Sequence, residues 1–112
     1  MEVCKEMQKL RDWLDENKIP WEDVSEDFNR FILNKTEHEM WICRTHFNIK
    51  GYKVSVINGY GTYGGYGIFS EENQGLLETM GLWNGEESVR GYLTAEEVIH
   101  KTEALIRYME ET

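Results

Sequence analysis

Glycine and tyrosine crowd the run Asn58-Gly-Tyr-Gly-Thr-Tyr-Gly-Gly-Tyr-Gly67, in which Tyr60, Tyr63 and Tyr66 fall at every third residue. Two kinds of chemistry suit such a run. Gly59, Gly61 and Gly64 approach the G-x-G-x-x-G spacing that lets backbone amides cradle a phosphate, and a tyrosine could stack on a base. That pattern predicts a nucleotide or other small-ligand loop. Tyrosine also combines a large apolar ring, a polar tip and only two χ angles, which makes it an economical contact residue for a protein partner. No convincing helix follows the run and no Walker Lys-Ser/Thr pair accompanies it, so protein recognition is the leading expectation. The candidate binding residues are Tyr60, Tyr63, Gly64, Gly65 and Tyr66, then Glu71 and Glu72, and finally Trp83. Tyr60 also suits a core position. Trp83, beside Asn84-Gly85, either completes an aromatic patch or anchors its loop.

The remaining reactive residues do not assemble into a catalytic group. His38, His46 and His100 lie on separate expected elements, and no pair has a metal-ligand spacing. Glu37 and Glu39 flank His38, but in an extended chain the two carboxylates share one face and His38 points to the other, which argues against shared ligation. Cys43 and His46 differ in parity along a strand, so they face opposite sides of a sheet and cannot act as nucleophile and base. Cys4 sits beside the buried stripe of the first helix. The adjacent pairs Glu71/Glu72, Glu86/Glu87 and Glu96/Glu97 are not two carboxylates held in different environments across a cleft. The expectation is a non-enzymatic protein with no metal and no cofactor.

Charge narrows the partner. The chain of 112 residues carries a formal charge of −9, from 21 acidic and 12 basic residues. Phosphate backbones and anionic membranes repel such a chain, so a basic protein surface is the expected partner and direct nucleic-acid binding is not. From Lys53 to Arg90 there is no intervening Lys or Arg, yet Glu71, Glu72, Glu78, Glu86 and Glu87 occur there. The glycine-tyrosine run lies inside this acidic window. Arg44, His46 and Lys53 are expected on one wet face, as a small basic spot or as ordinary solvated positions. Two cysteines do not make a disulfide framework, no signal peptide is visible, and no apolar run reaches the ~20 residues of a spanning helix. A reducing cytoplasm is the expected compartment.

The elements that must position these residues are legible in part. Composition is 40% hydrophobic and 12% aromatic, enough for one core, and residues 1–112 read as a single domain. Val3, Met7, Leu10 and Leu14, with Trp13, predict a helix over 2–17 that Asn17-Lys18 and Pro20 end. Residues 19–27 read as a linking segment, and 28–33 as a short strand in preference to one helical turn, which Phe28, Phe31 and Ile32 also suit. Residues 40–48 and 52–60 predict a β-hairpin about Lys50-Gly51. That turn pairs Ile49 with Tyr52, Phe47 with Val54, Thr45 with Val56 and Trp41 with Tyr60, all on one core face. Arg44, His46, Asn48, Lys53, Ser55, Ile42 and Ile57 fall on the other. Ser70-Glu-Glu-Asn opens a short helix through Leu76, Leu77 and Met80, which Gly75 weakens. Residues 83–87 read as a turn and Val89–Leu93 as a strand. Thr94-Ala-Glu-Glu97 is a capping box that starts a final helix with Val98, Ile99, Leu105, Ile106 and Met109 on its buried side. The expected fold is α+β, with N- and C-terminal helices packed on an antiparallel sheet centred on the 40–60 hairpin.

Tyr52-Lys-Val-Ser-Val-Ile-Asn-Gly-Tyr-Gly-Thr-Tyr-Gly-Gly and Gly91-Tyr-Leu-Thr-Ala-Glu-Glu-Val98 resemble short uncharacterised proteins of phages and gut-associated Gram-positive bacteria. The resemblance covers the C-terminal half and implies no fold, activity or residue role. It does imply a small phage accessory protein. Many of these act by stoichiometric binding, and acidic ones often resemble inhibitors of nucleic-acid-handling host machines, including anti-CRISPR proteins. Analogy of this kind suggests an inhibitor that occludes a basic surface of a host protein. A self-associating protein, dimerising through an edge strand or the aromatic loop, is the remaining alternative.

Overall fold

A computed structural model of the chain describes residues 3–27, 41–66, 72–83 and 88–111. Helix α1, Lys5–Glu16, buries Met7, Leu10, Arg11 and Leu14 along one stripe at helical spacing. It stops where Lys18 takes φ +56 and the Ile19 amide reaches the Leu14 carbonyl at 2.9 Å. Pro20 then starts extended chain.

Among the described residues six strands follow in five positions: β1 Trp21–Asp23, β2 Glu26–Asp27, β3 Trp41–Ile49, β4 Tyr52–Gly59, β5 Leu77–Met80 and β6 Val89–Leu93. All pair antiparallel in the order β1-β3-β4-β5-β6, and β2 continues along the β3 edge beyond β1. The central hairpin has the expected register, with Ile49 opposite Tyr52, Phe47 opposite Val54 and Thr45 opposite Val56. The Tyr60 amide continues it to the Trp41 carbonyl at 3.2 Å. Lys50 and Gly51 both have positive φ, +50 and +86, the geometry of a tight two-residue turn whose twist matches the strands.

Two expectations are overturned. Residues 21–23 and 26–27 are edge strands rather than a link. Their side chains carry no apolar alternation, because an edge strand needs only backbone pairing. Ser25 spans the gap between them: its hydroxyl accepts from the Arg44 amide at 3.0 Å and bonds the Asp23 carboxylate. The expected helix through Leu76, Leu77 and Met80 is instead β5. The apolar spacing fits either period over so few residues, and pairing with β4 on one side and β6 on the other decides it. Leu77 and Thr79 point into the core while Glu78 and Met80 point out. The expected strand over 28–33, the turn over 84–87, Ser70 and the Glu37-His38-Glu39 trio lie outside the described residues.

Helix α2, Ala95–Glu111, begins with the expected capping box. The Glu97 amide donates to the Thr94 hydroxyl at 3.2 Å, and the Thr94 amide donates to the Glu97 carboxylate at 3.1 Å. Glu6 of α1 accepts from the Ala95 amide at 2.8 Å and ties the two helices together; that bond holds the Glu6 carboxyl below its ordinary pKa. Val98 is buried, and Ile99, Leu105, Ile106 and Met109 pack partly against the core, joined by buried Ala95 and Thr102. Both helices cover one face of the sheet, over Phe47, Val54, Val56 and Leu77. No described helix is long and apolar enough to cross a membrane.

Candidate functional site

The hairpin delivers the glycine-tyrosine run to the end of the sheet, where it closes into a compact knot. Thr62, only 4% exposed, sits at its centre. Its hydroxyl accepts from the Gly59 amide at 3.0 Å and donates to the Gly59 carbonyl at 2.9 Å. The same carbonyl takes the amides of Thr62 and Tyr66, while Gly61 donates to the Tyr66 carbonyl and Gly65 to that of Thr62. Asn58, 3% exposed, exchanges amide hydrogen bonds with Asn73 at 3.0 and 2.8 Å and reaches the Leu76 carbonyl at 2.8 Å. These bonds fasten the far end of the loop to the strand where it begins.

Gly65 is a close-approach residue. A Cβ there would land on the Gly59 carbonyl oxygen and the Thr62 hydroxyl. Gly64 lies similarly tight against Leu76. Both are buried, so these two expected contact residues support the loop from inside. The amides of Gly59, Tyr60, Gly61, Thr62, Tyr63, Gly65 and Tyr66 all donate within the protein. The loop backbone is therefore committed to its own fold, and an incoming phosphate would have to displace those bonds.

The three tyrosines separate. Tyr60 and Tyr66 pair edge to face, centroids 5.8 Å apart, and both are half-buried. Tyr63 is 42% exposed and lies over Gly91 of β6, where a Cβ would strike its own. Its amide donates to the Glu78 carboxylate at 2.8 Å, and its carbonyl accepts from Tyr92 at 3.2 Å. Tyr92, 47% exposed, holds φ +58 at an irregularity in the β5–β6 ladder and sets its ring 5.9 Å from that of Tyr63. Sequence reasoning missed Tyr92. The available signal was Gly91, a strand glycine that leaves room for a facing ring.

Glu72 is exposed behind the loop, and Glu71 lies outside the described residues. Trp83 belongs to a different place. Its half-buried ring lies under the Arg90 guanidinium at 5.2 Å and near the Lys101 ammonium at 5.8 Å, next to α2. These contacts favour the anchoring role for Trp83.

The sheet face opposite the helices carries a cleft of about 660 Å³, lined by Arg44, His46, Lys53, Ser55, Ile57, Glu78, Met80 and Val89 among others. Burial, then Lys53 and Arg44, pull the His46 imidazole below its ordinary pKa. Burial pushes the Glu78 carboxyl up, partly offset by the Tyr63 amide. Cys43 is on the covered face, as parity requires, and burial raises its thiol pKa. The half-buried Cys4 thiol is raised for the same reason. Among the described residues no three His, Cys, Asp or Glu side chains gather to hold a metal.

Arg11 is the other residue that sequence reasoning passed over. Only 5% exposed, it donates to the Thr45 hydroxyl at 2.8 Å and the Arg44 carbonyl at 3.4 Å, and contacts the Cys43 sulfur at 3.6 Å. Its guanidinium also pairs with Asp23 at 3.3 Å and covers the Trp21 ring at 4.8 Å. Its position four residues after Met7 and three before Leu14 was the signal. Comparison with protein-family models, curated proteins and solved structures finds no match for the chain.

Proposed function

We propose that this is a non-enzymatic, stoichiometric binding protein that docks the Tyr63–Tyr92 pair on a basic surface of a protein partner and occludes it. The supporting observation is the rigid presentation of two exposed rings: Tyr63 rests on Gly91, and its loop is locked by Thr62, Gly65 and Asn58. Preorganised aromatic anchors lose little conformational entropy on binding, which is why such residues dominate protein interfaces. Glu72 and the acidic window supply charge of the right sign for a basic partner. The resemblance to small phage proteins suggests a host nucleic-acid-handling protein in the cytoplasm as the target, in the manner of an anti-CRISPR inhibitor. The alternative of a nucleotide held by the loop gains no support from its backbone, because the amides of residues 59–63, 65 and 66 already donate within the protein.

Affinity capture from host lysate, followed by titration of the purified partner, tests this. Wild type is expected to retain one basic protein, with affinity falling as salt rises. Tyr63→Ala/Tyr92→Ala is expected to keep its circular dichroism and lose at least about tenfold in affinity, the scale of a hot-spot pair. Unchanged affinity in a folded double variant would sink the proposal.

A further inference from the structure

The sheet face that the described residues leave open has a polarity gradient that the loop proposal does not use. Across one row of the ladder stand His46, Ser55, Met80 and Val89 in successive strands β3 to β6. The next row runs Arg44, Ile57 and Glu78. Lys53 adds a second full cation at the hairpin end, opposite Asn48. Base and hydroxyl therefore occupy the β3–β4 half of the cleft. In the β5–β6 half Met80, 45% exposed, and Val89, 50% exposed, form an apolar floor, with Glu78 of β5 as the one charged group beside them among the lining residues.

Among the residues lining the cleft two full cations, Arg44 and Lys53, stand against one carboxylate, Glu78, in a chain whose formal charge is −9. The Arg44 guanidinium meets Glu26 at 3.6 Å, but both groups are partly exposed, so that pair is weak and exchangeable. Glu22 faces His46 across the β1–β3 ladder. Glu78, at the other side of the cleft, repels an anionic head and so favours one orientation of a bound ligand. The volume falls within the range of small-molecule sites, which are mostly apolar with a few placed polar groups.

We infer that this cleft binds a small amphipathic organic anion, its carboxylate-type head at Arg44, Lys53 and Ser55 and its apolar body over Ile57, Met80 and Val89. The occupant is a free small molecule, selected by charge at one end and hydrophobic burial at the other. The inference does not depend on the tyrosine pair, which lies beyond Glu78.

Decanoate is a suitable probe, titrated below its micelle concentration against isotope-labelled protein, with decyltrimethylammonium as the matched cation. Saturable binding of decanoate is expected, with a Kd of about 100 µM or tighter and amide shifts at His46, Ser55, Met80 and Val89. The cation is expected to bind at least about tenfold more weakly. Lys53→Glu and Met80→Asp, both at exposed positions, should each weaken decanoate about tenfold, and Tyr63→Ala/Tyr92→Ala should leave it within about twofold. Equal binding of the cation, shifts confined to the helices or to Tyr63 and Tyr92, no saturation below about 1 mM, or no effect of Lys53→Glu would each overturn the inference. Because the tyrosine variant separates the two sites, failure here leaves the protein-binding proposal standing, and the reverse also holds.

Discussion

The two faces of strand β3 use positive charge in opposite ways. On the covered face, Thr45 and Cys43 meet Arg11, whose guanidinium contacts a hydroxyl, a sulfur, a carbonyl, a carboxylate and an indole ring. On the uncovered face, Arg44 and His46 stand beside Lys53 over a cleft. A buried cation is tolerable only when its donors are satisfied, so Arg11 is fixed in place and clamps α1 to β1 and β3. A cation at a wet cleft keeps its hydration and can exchange partners. Strand alternation puts these two environments one residue apart, and the apolar side chains of Phe47, Val54 and Val56 mark the one that becomes interior beneath the helices.

The sharpest way to break this comparison is to remove one cation from each face. Arg11→Ala is expected to lower unfolding free energy by about 2–3 kcal/mol, through lost hydrogen bonds and packing of the buried stem. Lys53→Glu is expected to change it by no more than about 0.5 kcal/mol. Denaturant midpoints of the two variants measure both, and similar losses would erase the distinction between clamp and cleft.

The loop at the end of the uncovered face offers a second test. Gly65→Ala forces a methyl against the Gly59 carbonyl and should cost about 2 kcal/mol, with Tyr63 displaced in the same step. Gly51→Ala meets nothing within 4 Å and suffers only its positive φ, for about 1 kcal/mol. Thermal melts of the pair check this. A harmless Gly65→Ala would mean that the knot is looser than its hydrogen bonds imply.

The smallest effects are in pH, and they carry opposite signs on the two faces. Bonds from Ser25, then Arg11, hold the Asp23 pKa below its ordinary value. Its contribution is therefore present above the unfolded pKa and lost as pH falls through the folded one. Burial raises the Glu78 pKa, so its contribution is present in acid and lost as pH rises through the folded value. Relative to wild type, Asp23→Asn should be less stable near about pH 7 and similar near about pH 3, whereas Glu78→Gln should gain on wild type as pH rises between them. Melting temperatures across that range decide it, and two shifts of the same sign would contradict the assignment.

Local patterns carried much of this protein into the sequence. The hairpin register follows from Lys50-Gly51, because one turn geometry and strict alternation leave a single pairing that buries Phe47, Val54 and Val56 together. The capping box sets the start of α2 with residues three apart, and the apolar stripe of α1 needs only its own spacing. The candidate site was less legible. Gly64 and Gly65 looked like ligand-facing glycines, but their neighbours are Leu76 and Gly59, and only the closed loop shows that. Tyr63 was recognisable as a contact residue, yet its partner Tyr92 lies 29 residues further on, on another strand.

What the sequence determined by itself was the α+β class, the central hairpin and its two faces, and the final helix, since each rests on interactions between near neighbours in the chain. Tertiary structure alone decided that Leu77–Met80 is a strand, that Trp21–Asp23 pairs along the edge of β3, and that Tyr92 stands beside Tyr63. Those outcomes depend on which distant segment supplies the missing hydrogen bonds and ring contacts, and no local pattern encodes that.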